Sequence, residues 1–226
     1  MTAWRTALVV VAGAAAVTVA ALGAPRLFRR LAFFRIRQVE VVGNRYLSAL
    51  DIVSRLRLAP GASTFDRLDQ VRAAAARIPG LRAVSVERRL PGTLRVTVHE
   101  ESPIALAALG DHLALIDEHG GRLPFDPVRA PGSFPVASAD SLTAGLLSRL
   151  RLADPLWYDS VQTARLDGRD VLLDAGFHRV LYRADADDGV FRAVTYVRDY
   201  LATHGIAWSE IDARFQNRVF VRKAPS

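Results

Sequence analysis

The residues of this sequence with the widest chemical repertoire are its five histidines, His99, His112, His119, His178 and His204. None pairs with another at the spacing by which one helix face presents two metal ligands. His112, Asp117 and His119 are close along the chain and could approach one another across a turn. A metal's ligands ask for tighter geometry than that, so no metal site is expected. Glu100-Glu101 offers two carboxylates, but neighbours on a strand point to opposite faces and cannot flank one bond. Cysteine is absent, which excludes a disulfide framework, thiolate metal sites and thiol catalysis. There is no G-x-S-x-G elbow, phosphate-binding Gly loop or G-x-G-x-x-G. Gly120-Gly121 reads as a hairpin turn. No catalytic, cofactor-binding or metal-binding set can be assembled, so the function is sought in binding.

The chain has 226 residues, enough for one large domain or two small ones. Half of them are hydrophobic, so a packed core is available. The formal net charge is +7 and comes almost entirely from arginine, since Lys223 is the only lysine. Arg26, Arg29, Arg30, Arg35 and Arg37 crowd beside an apolar segment, which makes lipid headgroups the nearest anionic partner. Nucleic-acid binding would want a basic face with stacking aromatics or a known module, and neither is present.

Thr6 to Ala24 carry no charge and are mostly Ala, Val and Leu; about 20 such residues span a bilayer as a helix. Trp4 suits one interface, and Pro25-Arg26, followed by Arg29 and Arg30, closes the other. The expected order is a short leader (1–5), a transmembrane helix (6–24) and a basic juxtamembrane linker (25–35). A cleaved signal peptide is the competing reading, with Arg5 as its basic start and Ala21-Leu22-Gly23 as its cleavage site. The apolar stretch is long for that purpose. Both readings send the remainder outside the cytoplasm. The arginine cluster argues the other way, because the positive-inside rule taken alone keeps the large portion inside.

From Phe33 onward the pattern is mixed α/β. Ile36 to Val41 alternates apolar and polar as a half-buried strand, ended by Gly43-Asn44. Ser48 caps a short helix with Leu50, Val53 and Leu56 on one face, and Pro60-Gly61 breaks the chain. Asp66 is expected to cap a second helix whose apolar side is Leu68, Val71, Ala75 and Ile78. Val84 to Glu87 and Leu94 to Val98 alternate around the Leu90-Pro91-Gly92-Thr93 turn as a hairpin. The order strand, helix, helix, strand, strand predicts a small domain over 36–102. Residues 103–226 read as a mostly antiparallel β domain with helices. Its strands are expected at Ile104–Leu109, Leu113–Asp117, Val161–Leu166, Val171–Leu173, His178–Tyr182, Ile211–Phe215 and Arg218–Val221. Helices are expected over Ala139–Leu152 and Val190–Ala202, and a proline-rich loop over 124–135.

That first unit resembles a POTRA domain, and the whole resembles the FtsQ/DivIB family of bacterial division proteins. Val39-Glu40-Val41-Val42-Gly43-Asn44 resembles the family's opening strand and turn. Ile78-Pro79-Gly80-Leu81 and the run Val84 to Leu94 resemble its hairpin, with Glu101 and Pro103 at the end. Leu115-Ile116-Asp117 with Gly120 resembles a later hairpin, and Ile211 to Val221 resembles the family's polar tail. The chain departs from the pattern at Leu90, often tryptophan, at Tyr182, where glycine is common, and in its short leader.

The resemblance implies a non-enzymatic, single-pass protein of the cell inner (cytoplasmic) membrane at the division septum, with its bulk extracytoplasmic. It implies a scaffold that binds FtsB/FtsL-like coiled-coil proteins through the C-terminal strand and other division proteins through the POTRA domain. An uncovered terminal strand is a template for a partner strand. Arg214 suits a partner carboxylate and Phe215 an apolar anchor; the plain alternative is that Arg214 braces Asp212 or Glu210 and Phe215 is core. Asn217, Val219 and Val221 complete the expected partner-binding strand, and Arg183 matches a family arginine near it or is a solvated loop charge. Two other readings are a POTRA-type envelope assembly or secretion component and a membrane-anchored cell-wall enzyme. The first usually carries POTRA domains in tandem ahead of a large barrel, and the second needs a convergent acid, base or metal set.

Overall fold

The computed structural model describes residues 32–215 and 217–224. The span expected over 6–24, and Trp4, Arg26, Arg29 and Arg30 beside it, lie outside those residues. Among the described residues no helix is long and apolar enough to cross a membrane. The chain divides into two compact units between Glu100 and Glu101.

The first unit runs β1 (Gln38–Val42), α1 (Ala49–Arg55), α2 (Asp69–Ala75), β2 (Leu81–Arg89) and β3 (Thr93–Glu100). The sheet order is β1-β3-β2, with β1 parallel and β2 antiparallel to β3. Leu94, Val96 and Val98 alternate inward from β3 and are buried, as are Ile52, Leu56, Leu68, Ala75 and Ile78. Each such Leu, Ile or Val side chain taken from water stabilises the unit by about 1.5–3 kcal/mol. Ser48 caps α1, its Oγ accepting the Asp51 N–H at 3.0 Å. The expected cap of α2 is a correction: the helix starts at Asp69 behind Leu68, without a side-chain cap. Asp66 instead closes the preceding turn, its Oδ2 accepting the Ser63 N–H at 2.7 Å. Ile36 likewise falls before β1, because its N–H is donated to the Ala62 carbonyl. Gly43 has φ +90°, and a Cβ there would collide with the Val98 carbonyl oxygen, so only glycine fits that turn.

The second unit runs β4 (Ala105–Leu109), β5 (His112–Ile116), β6 (Val136–Ala137), α3 (Ser141–Ala153), α4 (Pro155–Ser160), β7 (Thr163–Asp167), β8 (Asp170–Ala175), β9 (His178–Arg183), α5 (Asp188–Thr203), β10 (Trp208–Phe215) and β11 (Arg218–Lys223). They form one eight-stranded sheet in the order β11-β10-β9-β8-β7-β6-β4-β5. The sheet is mixed and mostly antiparallel: four of its seven strand pairings are antiparallel, while β9 and β10 run parallel, as do β7 with β6 and β6 with β4. A parallel neighbour needs a crossover; α5 supplies one between β9 and β10, and α3 with α4 another between β6 and β7. Neither the two-residue β6 nor the short α4 is expected from the sequence, since neither is long enough to show a period.

One face of this sheet is covered by helices. Leu146, Leu147 and Leu150 of α3 and Phe191 and Val194 of α5 share a buried cluster with Val171, Leu173, Val180, Tyr182 and Ile211. Tyr182 sits in that core with its ring centroid 5.3 Å from that of Phe191. Burial raises its phenol pKa above the ordinary value. Asp154 ties the helices together: Oδ1 accepts the Trp157 N–H at the start of α4, and Oδ2 accepts from Thr195 Oγ1 and Arg198 of α5, each at 2.8 Å. The Arg198 guanidinium lies 4.2 Å from the Trp157 ring centroid.

Candidate partner-binding edge

β11 ends the sheet. It pairs antiparallel with β10 and with no other described strand, so one row of its backbone N–H and C=O groups faces outward. The other edge, β5, is partly closed: the Leu123 N–H is donated to the Leu115 carbonyl, and Ile116 bridges Arg122.

Alternation sorts the side chains of β10 and β11 between two faces. Ile211 and Ala213 point to the core, and Val219 packs against it. Val221, opposite Ile211, is 37% exposed. On the other face stand Glu210, Asp212 and Arg214, with Phe220 opposite Asp212. Pairing between the strands is irregular from Asp212 to Phe215, and Asn217 makes the turn at φ +58°, a region asparagine tolerates better than most residues. Phe215 and Phe220 are 51% and 52% exposed, and their rings meet edge to face at 5.2 Å. Phe215 is therefore not core. Phe220 was missed in the sequence; its alternation with Val219 and Val221 was the signal that could have found it.

Arg214 is held from two sides. Its Nε and Nη2 donate to the two oxygens of Asp212 at 2.9 and 2.7 Å, and its Nη1 donates to Asp170 Oδ2 at 3.0 Å. The bond from Arg214 holds the Asp212 carboxyl below the usual range, and Asp212 first, then Asp170, raises the guanidinium pKa further. Asp170 Oδ1 has no hydrogen bond among the described residues, and Arg183 Nε lies 3.9 Å away. Arg183 also approaches Asp185 at 3.6 Å. The structure thus brings Arg183 and Arg214 to one shared carboxylate, Asp170 of β8, three strands in from the edge. The same face carries a row of alternating charge, Asp174, Arg179, Glu210 and Arg222, across β8 to β11. Its exposed end is Arg222, 3.5 Å from Glu210.

The residues with metal-ligating side chains do other things. His112 Nδ1 lies 3.0 Å from Asp111, and Asp117 Oδ1 accepts the N–H groups of His119 and Gly121, each at 2.8 Å. Among the described residues no group of three His, Asp or Glu lies close enough to hold a metal. Glu100 clasps the turn after β1. Its Oε2 accepts the N–H groups of Arg45 and Tyr46 at 2.8 and 2.7 Å, and its Oε1 accepts that of Leu47 at 2.8 Å. Its neighbour Glu101, matched in the sequence to the end of the hairpin motif, is not part of this clasp.

Comparison with known proteins bears on the first unit. Residues 34–101 match the POTRA domain, FtsQ-type. Over these residues the first unit is similar to the POTRA domains of FtsQ and DivIB proteins. Cell division protein FtsQ of Rickettsia typhi is 30% identical over 94 residues, covering 41% of this chain and 35% of the relative. FtsQ of Koribacter versatilis is 33% identical over 103 residues, 44% of this chain and 29% of the relative. Cell division protein DivIB of Clostridium acetobutylicum is 25% identical over 92 residues, 40% and 37% of the two chains. The chain matches about a third of the length of these FtsQ/DivIB relatives.

Proposed function

We propose that this protein is a non-enzymatic scaffold of the bacterial division septum, anchored once in the cytoplasmic membrane with its bulk outside. Its POTRA unit contacts other division proteins. β11 accepts a strand from an FtsB- or FtsL-like coiled-coil partner. The observation that carries this reading is the uncovered edge of β11 with the Phe215–Phe220 pair beside it, in a chain whose first unit is an FtsQ-type POTRA domain.

The chemistry suits strand addition. Main-chain hydrogen bonds along β11 supply affinity, and side chains at alternate positions choose the partner. Two half-exposed aromatics at one end are the kind of residue that dominates binding energy. Arg214 braces Asp212 and Asp170 but keeps about a third of its side chain exposed, so a partner carboxylate would share a guanidinium already held by two of the chain's own. Asn217, Val219 and Val221 set the turn and the register in which the partner docks.

The test has two parts. Depletion in the host is expected to give long, unseptated cells; normal septation with loss of outer-membrane proteins assigns the chain to envelope assembly instead. Capture of the coiled-coil partner by the full chain is expected to fail for Phe215→Asp while that variant keeps its unfolding midpoint. Undiminished capture refutes the edge as the binding site.

A further inference from the structure

The POTRA unit carries a groove to which the scaffold role assigns no ligand. α1, the segment after it and α2 enclose a groove of about 990 Å³. Its floor is apolar: Leu56, Leu68 and Ile78 are buried there. Its rim is basic, formed by Arg55, Arg57, Arg67 and Arg77. Among the described residues none of these four guanidinium groups makes a hydrogen bond or ion pair, whereas Arg72 nearby lies 3.7 Å from Asp69. The other rim acid, Asp66, is turned toward the Ser63 N–H. Arg57 follows the last turn of α1 at φ +52°, a seat where glycine is the unstrained choice, so a cation stands on this rim despite the backbone.

Ile36 also lines the groove, which puts it where the chain enters the unit from its arginine-rich stretch. Eleven residues, 25–35, separate Ile36 from the apolar run that ends at Ala24. Fully extended they reach about 40 Å at most, so a chain anchored by that run keeps the groove within reach of the bilayer surface.

We propose that this groove docks the POTRA unit on anionic phospholipid at the membrane surface, the arginines holding phosphate and the apolar floor taking glycerol and upper acyl carbons. Guanidinium groups match phosphate with paired hydrogen bonds, and each basic residue near an anionic surface adds to the attraction. The proposal rests on reading residues 6–24 as a retained span.

The absence of cysteine makes the test clean. The full chain with Gln70→Cys, on the exposed side of α2 and lining the groove, takes one environment-sensitive dye. It is reconstituted in phosphatidylcholine vesicles with and without phosphatidylglycerol. Phosphatidylglycerol is expected to shift the emission to the blue, high salt to reverse the shift, and combined Arg55→Gln, Arg57→Gln, Arg67→Gln and Arg77→Gln to abolish it. Arg57→Gly, which relieves the left-handed strain and so keeps the fold, is expected to weaken the shift. Equal emission in both kinds of vesicle overturns the proposal, as does a shift that persists in the fourfold variant. A shift in neutral vesicles only on adding an acidic helical protein overturns it in favour of a protein ligand. Flotation on neutral vesicles separately reads the anchor: a chain that fails to float fails the retained-span reading, while the dye still decides the groove.

Discussion

Replacing Glu100 by glutamine tests the clasp that closes the POTRA unit. The carboxylate takes three backbone N–H groups at 2.7 to 2.8 Å. With its amide oxygen at the Oε2 position, glutamine still accepts from Arg45 and Tyr46, now without charge. Its NH₂ then faces the N–H of Leu47, donor against donor. One bond is lost at about 1 kcal/mol, and two charge-assisted bonds fall to neutral strength at roughly half their worth. Water reaches the exposed side of the clasp and recovers part of this. The net cost is about 2–3 kcal/mol of local stability. The tryptophans among the described residues, Trp157 and Trp208, lie in the other unit, so fluorescence misses the event. Amide hydrogen exchange reads it directly. Protection at Tyr46 and Leu47 is expected to fall by roughly 30- to 150-fold, since about 1.4 kcal/mol is one factor of ten. Glu101→Gln, one residue on, is expected to leave those amides unchanged. Equal effects from the two variants, or none from Glu100→Gln, would refute the assignment of the clasp.

Other outcomes follow from the second unit. Phe220→Asp is expected to weaken partner capture as Phe215→Asp does, with each variant within about 0.5 kcal/mol of the parent in urea unfolding, because both rings are half exposed. Asp154→Ala removes the cap of α4 and leaves Arg198 with its charge unpaired in a mostly buried place; a loss of about 2–3 kcal/mol is expected in denaturant unfolding followed by tryptophan fluorescence. The folded pKa of Asp212 lies below the unfolded value near 3.8, because Arg214 favours the charged form. The stability it adds is therefore full well above that value and is lost as pH falls through it and then through the folded pKa. The stability gap between the parent and Arg214→Gln should accordingly be constant near neutral pH and narrow in that acid window. A gap that widens there contradicts the pairing.

Much of the first unit is legible locally. Alternation in Val39 to Val41, Val84 to Glu87 and Leu94 to Val98 and the Ser48 cap each depend on residues within one element, and all appear where the sequence puts them. Asp66 is ambiguous because an aspartate ahead of an apolar period has two local uses, helix cap and turn closure. Which one it takes depends on whether α2 begins three residues on. In the second unit the short gaps between β7 and β8 and between β8 and β9 carry clear turn signals in Gly168 and Gly176, whereas β6 is too short to carry any pattern.

The sequence by itself determined the alternating faces of β2 and β3, the apolar faces of α2 and α5 and the turns between strands, because periodicity and backbone preference act over a few residues; the face of α1 went the other way, with Ile52 buried and Leu50 exposed. Tertiary structure decided which charges meet. Arg214 is held by Asp212 two residues away but also by Asp170, 44 residues away. Glu100 rather than Glu101 reaches the turn after β1. Phe215 finds Phe220 across a hairpin whose register is irregular. A side chain's own type fixes what it can bond to, but the partner comes from strand order and register, which are set by burial of the whole sheet against its helices.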